Sequence, residues 1–263
     1  MPPLLRLRDL RKTFVTGLAD ARPALDGLSL ELAAGDFVLV IGSNGAGKST
    51  MLNAVAGAIS VDSGEITLDG QNITHLAEYK RAGQIARVFQ DPMAGTAAAM
   101  TVEENLALAE RRGKSRRFVP HLDNPRRAHY RELLASLRLG MEARLATPVA
   151  QLSGGQRQSL SLVMAVMSAP RLLLLDEHTA ALDPRTADLV MEATVAAIAQ
   201  HGLSALMVTH NMQQAIQYGN RLLMMDAGRV RLDIRGAEKA ALTPEELVQR
   251  FKLTDDRLLL ADA

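Results

Sequence analysis

The sequence contains no cysteine. That excludes disulfides, thiolate metal sites and cysteine nucleophiles, and it fits a reducing compartment. Neither charge sign is in excess: 30 Lys and Arg stand against 29 Asp and Glu, a formal net charge of +1. Global charge therefore gives no argument for a nucleic-acid partner. Long apolar runs are also missing. The most apolar stretch, LSLVMAVMSAPRLLLLD, is broken by Pro170 and Arg171, so no segment reads as a membrane span. The opening MPPLLRLRDL has no apolar region of signal-peptide length. The expectation is a soluble chain whose association with a membrane runs through a partner.

What is present is a chain of 263 residues, 48% apolar, enough for one large domain or a domain with a subdomain. Strand-like and helix-like segments alternate, which favours an α/β fold. FVLVIG (Phe37–Gly42), IARVFQ (Ile85–Gln90), LLLLDE (Leu172–Glu177) and SALMVTH (Ser204–His210) are short apolar runs. They suit strands buried on both faces of a mainly parallel sheet. LLRLRDL, LDGLSLEL and GEITLDG read as an antiparallel edge. Asp183 is a candidate N-cap with Pro184 at the first helical position, followed by Leu189, Val190, Ala193, Ala197 and Ile198 at helical spacing. TPEE (243–246) has capping-box spacing and predicts a short last helix over ELVQRF. Only about fifty residues follow SALMVTH, too few for a separate regulatory domain.

The segment GSNGAGKST, Gly42–Thr50 (Gly42, Ser43, Asn44, Gly45, Ala46, Gly47, Lys48, Ser49, Thr50), matches G-x-x-x-x-G-K-[ST] between a predicted strand and a predicted helix. Its glycines let backbone N–H groups curve round phosphate oxygens, and the helix N-terminus adds partial positive charge. Lys48 is expected to reach the β- and γ-phosphates and the Ser49 hydroxyl to bind Mg²⁺. Over a hundred residues later, LLLLDE delivers Asp176 and Glu177 to the carboxyl edge of the sheet, where ligands bind in open α/β folds. Asp176 suits a Mg²⁺ contact, and Glu177 is placed to orient or deprotonate an attacking water.

QLSGGQRQ (Gln151–Gln158) lies between these two motifs, immediately before a predicted helix. With it, the chain resembles the nucleotide-binding subunits of ATP-binding cassette (ABC) transporters, over about Leu4 to Ile234. The resemblance implies an ATPase domain over 4–234, with a helical subdomain inserted at about 91–155 and a short helical extension at 235–263. It implies that Phe14 stacks on adenine and that Gln90 contacts Mg²⁺ or the attacking water. It implies that Ser153, Gly154, Gly155 and Gln156 form the signature that meets the γ-phosphate held by a second subunit. Asp183 falls at the loop that crosses the dimer interface, and His210 at the histidine that contacts the γ-phosphate. The implied cofactors are ATP and Mg²⁺. The implied partners are a second cassette (a copy or a paralogue), a transmembrane permease and, indirectly, a solute-binding protein, at the cytoplasmic face of the plasma membrane.

A single cassette without a fused membrane domain looks like an importer subunit. An exporter or lipid-handling ATPase and a soluble non-transport cassette protein are the alternatives. Met93, Ala94, Met100, Val102 and Leu106 offer either a groove for a permease helix or subdomain core. His178 stands where many relatives have proline, and is expected to shape the turn toward Asp183 rather than to move protons. Together with the run THNMQQAIQYGNRLLMMDAGRV, it looks like a poorly characterised bacterial importer group for which aromatic amino acids are one suggested cargo. The stretch Arg111–Arg131 carries eight Lys and Arg (Arg111, Arg112, Lys114, Arg116, Arg117, Arg126, Arg127, Arg131) and reads as a solvated basic face or a docking surface.

Overall fold

The computed structural model describes residues 2–15, 21–114, 122–136, 140–247 and 249–250. They fall into two compact units, Met1–Leu76 with Ala205–Ala263, and Ala77–Ser204.

The first unit opens with β1 (Leu5–Val15) and β2 (Ala21–Leu32), followed by β3 (Phe37–Gly42), α1 (Lys48–Ala56), β4 (Ser63–Leu68) and β5 (Gln71–Asn72). Leu5 and Leu7 alternate inward as a half-buried strand demands, but the next buried leucine is Leu10, three positions on. The extra residue is absorbed by a register shift between Leu7 and Leu10, with Asp9 at φ 44°. Leu5, Leu7 and Leu10 thereby pair with Leu32, Leu30 and Leu28 across the antiparallel ladder. The order β2-β1-β4-β5 is antiparallel throughout, as expected of these segments, and forms a sheet of its own.

β3 is buried at all six positions, as its unbroken apolar run requires. It pairs in parallel with β8 (Ser204–Val208) and with β9 (Arg221–Asp226). α7 (Met212–Gln217) connects those two strands, and β10 (Arg229–Arg235) folds back antiparallel on β9, ahead of α8 (Gly236–Ala240). The β9–β10 turn places Ala227 at φ 45° and Gly228 at φ 73°, the two positive angles a tight hairpin needs. After α8, Thr243 and Glu246 make the expected reciprocal cap, and the helix it opens is described over 244–247.

The second unit holds α2 (Glu78–Arg81), β6 (Ile85–Val88), α3 (Val102–Glu110), α4 (Asn124–Ser136), α5 (Gly154–Val166), β7 (Leu172–Asp176) and α6 (Pro184–His201). β6 and β7 run parallel, Ile85 opposite Leu172 through Val88 opposite Leu175. Val102, Leu106, Tyr130, Leu134, Leu160 and Met164 belong to one helical core. Val102 and Leu106 are therefore interior. Met93 and Ala94 are exposed and Met100 is half-buried, so the sequence-level set does not form one groove. On α6, Val190, Ala197 and Ile198 face inward as expected, whereas Leu189 is 42% exposed.

The basic stretch is spent partly on local pairing. Arg127 donates twice to the Glu103 carboxylate, at 2.7 and 3.2 Å, and Arg126 pairs with Asp123 at 2.9 Å. Arg116 and Arg117 lie outside the described residues.

Candidate functional site

The loop between β3 and α1 is built by close backbone approaches. A side chain at Gly42 would put its Cβ 2.3 Å from the carbonyl oxygen of Met225, on the neighbouring strand. At Gly47, φ is 95° and a Cβ would lie 2.3 Å from the Ala24 carbonyl oxygen. Both positions exclude any larger residue. Gly47 is the N-cap of α1, so the loop ends on N–H groups that have no partner within the helix. Lys48 is buried, and its ammonium donates to the carbonyls of Gly42 at 2.8 Å and Ser43 at 2.9 Å. These bonds hold a cation inside the curve of the loop. Asn44, Gly45 and Ser49 are exposed, Ser43 and Thr50 half-buried, and Ala46 buried.

His210 belongs to the same unit. It follows β8 by two residues, as the loop follows Val40, and Val40 pairs with Val208. The exposed imidazole is carried by a fixed turn. Thr209 donates its N–H to Val40 at 3.1 Å and its hydroxyl to Gln214 at 3.1 Å, while Asn211 caps α7. Phe14, 42% exposed near the end of β1, has the Lys12 ammonium 5.6 Å from its ring centroid.

In the second unit β7 ends at Asp176, which is 9% exposed. Its Oδ2 accepts a 2.7 Å hydrogen bond from the Arg87 guanidinium on β6. Glu177, half-buried, sits at φ 46°, a left-handed conformation that costs a residue with a Cβ about 1–2 kcal/mol. Its carbonyl accepts from Ala180 N–H at 2.9 Å, closing the turn. Strain at this point of a chain is a recurrent mark of functional positions. Gln90 is exposed just beyond β6.

His178 is 1% exposed. The Thr194 hydroxyl donates to the Val190 carbonyl at 2.8 Å, so the imidazole Nε2–H is the donor in the 3.0 Å contact between them. Nδ1 has no hydrogen-bond partner among the described residues. Burial pushes the imidazole down to about 4, so it is neutral at physiological pH.

Ser153 is the N-cap of α5: its hydroxyl oxygen accepts from Gln156 N–H at 3.3 Å, and the Gln156 side chain accepts from Ser153 N–H at 3.1 Å. The cap uses Oγ as an acceptor and leaves the hydroxyl proton as a donor. Ser153 and Gly154 are exposed, and Gln156 is half-buried. Gly155 is buried, and a Cβ there would sit 2.1 Å from Thr186 Cγ2 on α6. Asp183 caps α6, accepting from Thr186 N–H at 3.1 Å; the Thr186 hydroxyl first, and this N–H second, hold its carboxyl below the usual carboxylate range.

Each unit thus carries part of the predicted set: the phosphate loop, His210 and Phe14 in one, and the acid pair, Gln90, signature and Asp183 in the other. Sequence reading passed over Arg87. Its signal was a lone arginine inside the apolar run IARVFQ. The available donors are hard oxygens: the Ser49 hydroxyl, the Asp176 carboxylate and the Gln90 amide. Among the described residues no cluster of three or more His, Cys, Asp or Glu could hold an ion. Oxygen donors of this kind, taken unit by unit, fit Mg²⁺, which takes one or two protein ligands and completes its shell with phosphate and water.

A glycine-built G-x-x-x-x-G-K-[ST] loop after a parallel strand, with a strand-end acid pair elsewhere in the chain, is the pattern of a nucleotide-hydrolysing α/β protein. The sequence pattern of the ABC transporter family matches residues 25–180. The chain is 45% identical over 252 residues to the tyrosine transport ATP-binding protein of Clostridioides difficile, covering 95% of this chain and 99% of that protein. It is 37% identical over 233 residues to the methionine import ATP-binding protein MetN of Rhizobium etli, covering 86% of this chain and 60% of that relative's length. A dimeric ATP-binding cassette solved in a post-hydrolysis state with ADP and Pi superposes with a TM-score of 0.75 at 28% identity, over 88% of this chain and 98% of that one. The chain belongs to the ABC transporter family. It is an ATP-binding, ATP-hydrolysing subunit of the importer type.

Proposed function

We propose that this chain powers uptake of an amino acid, with an aromatic side chain the favoured cargo, through a permease in the plasma membrane. The observation that carries this reading is the end-to-end likeness to a tyrosine transport subunit, 45% identical over 99% of its length. The chain would work at the cytoplasmic face, peripheral to the membrane, as a pair of cassettes beneath the permease. A solute-binding protein would deliver cargo to that permease. No described helix is long and apolar enough to cross a membrane, which is compatible with a peripheral subunit.

In this reading the Gly42–Thr50 loop and Lys48 hold the ATP phosphates and Phe14 stacks on the adenine; Ser49 and Asp176 would hold Mg²⁺, and Gln90 would contact the metal or the attacking water. The metal would neutralise charge on the β- and γ-phosphates. Glu177 orients or deprotonates the attacking water, and His210 contacts the γ-phosphate. Ser153, Gly154, Gly155 and Gln156 meet the γ-phosphate bound by the other cassette, and Asp183 lies at the interface between the two. The free hydroxyl proton of Ser153 and the start of α5 support that assignment. ATP bound between two cassettes favours the closed pair over the open one, and that difference in affinity drives the permease. We assign 91–155 to a helical subdomain and 235–263 to a terminal extension.

Uptake of labelled tyrosine by cells lacking this chain tests the cargo. Uptake should fall to background and return with the wild-type chain but not with Lys48→Ala. Undiminished uptake of tyrosine, phenylalanine and tryptophan would contradict the aromatic assignment.

A further inference from the structure

Arg87 is a charged residue in an otherwise apolar strand. Its side chain and that of Asp176 are each only 12% exposed, and they meet at 2.7 Å. Removing two charges from water is costly, and replacing such a pair with apolar residues is often neutral or stabilising. Fold stability alone is therefore a weak reason for this pair.

Its geometry suggests another. A guanidinium nitrogen donates to the carboxylate oxygen Oδ2 at 2.7 Å. The guanidinium carbon also lies 4.6 Å from the centroid of the Phe89 ring, a cation–π contact. Phe89 precedes Gln90, and the Phe89 carbonyl accepts from Gln158 Nε2 at 3.0 Å, on the signature helix α5. One side chain thus touches the carboxylate at the end of β7 and the residue before Gln90, while the backbone of that residue is tied to α5.

We propose that Arg87 is a positioning residue for the ATPase reaction: it fixes the Asp176 carboxylate for Mg²⁺ and links it to the Gln90 loop. This rests on Asp176 being the metal contact. Carboxylates that bind metals depend on such outer partners for orientation, and losing the partner costs about 10–100-fold in metal affinity. The link also gives the Gln90 loop a mechanical hold on the metal carboxylate, because movement of Phe89 carries the guanidinium's stacking surface with it.

The test is binding of the non-hydrolysable analogue AMPPNP by calorimetry, across a Mg²⁺ series and in EDTA. Arg87→Met should raise the Mg²⁺ concentration giving half-maximal tightening by about tenfold, leaving affinity in EDTA unchanged. Arg87→Lys should shift it by less, since an ammonium reaches the carboxylate without the planar stacking of guanidinium. A Met variant that follows the wild-type Mg²⁺ curve, or that loses affinity equally with and without Mg²⁺, would overturn the proposal. If Arg87→Met does not fold, Arg87→Lys carries the test: a shifted Mg²⁺ midpoint supports positioning and an unshifted one contradicts it. Wild-type binding that ignores Mg²⁺ altogether would instead remove the metal role of Asp176, and the proposal with it.

Discussion

His178 follows the acid pair directly, yet its imidazole is interior and bonded to Thr194 on α6. A neutral ring whose pKa is lowered to about 4 by burial is a poor proton acceptor at pH 7 and a good structural pin. His178→Ala should therefore keep most ATPase activity while lowering the melting temperature. The pH dependence has a definite sign. The ordinary value of 6.5 governs the unfolded chain, which takes up the proton first as pH falls. The contribution of the neutral ring is full above about 6.5 and is lost progressively as pH drops toward about 4, in total roughly 3 kcal/mol. Nucleotide-free unfolding measured from pH 7 to 4 should fall more steeply for the wild type than for His178→Ala. Parallel curves would remove the linkage, and ATPase loss matching that of Glu177→Gln would return the histidine to the chemistry. The residue scale is where sequence reading was least complete. That His178 would lie outside the chemistry was expected, but its partner, sixteen positions away, was not visible. Arg87 was invisible as a partner because its acid lies on another strand.

At the scale of elements, the signature illustrates how packing dictates composition. Gly155 faces Thr186 so closely that even a methyl group collides with Cγ2. Gly155→Ala should cost about 1–3 kcal/mol by overpacking. Adding Thr186→Ser, which deletes that methyl, should restore most of the loss in denaturant unfolding. Failure of the second substitution to rescue would mean that backbone freedom, not the contact, requires glycine. Strands with unbroken apolar runs were legible: β3 has the expected bounds, and β6, β7 and β8 begin where expected and stop one or two residues earlier. The caps at Asp183 and Thr243 were legible too, because side chain and target lie within three residues. β9 and its hairpin partner β10 were missed. RLLMMD is a short apolar run like the others, but it was read as a marker of kinship and its turn was not weighed. The bulge at Asp9 follows from a leucine spacing of three in an alternating strand, a signal that only the paired strand makes interpretable.

For the whole molecule, what the sequence conveyed was a set of motifs in order, and the order carried more than any member. The phosphate loop, signature, acid pair and His210 are far apart in the chain, and in the proposed mechanism a second cassette completes their chemistry. Cargo is the opposite case: no described residue reads the transported solute, so only kinship speaks to it. The central claim is that Glu177 activates water in an ATP-bridged pair of cassettes. Sedimentation of Glu177→Gln with ATP and Mg²⁺, with phosphate release followed in the same sample, tests it most directly. The account predicts a stable ATP-bound dimer with phosphate release reduced at least about a hundredfold, the loss expected when a general base is removed. A monomer that hydrolyses ATP at the wild-type rate would contradict it.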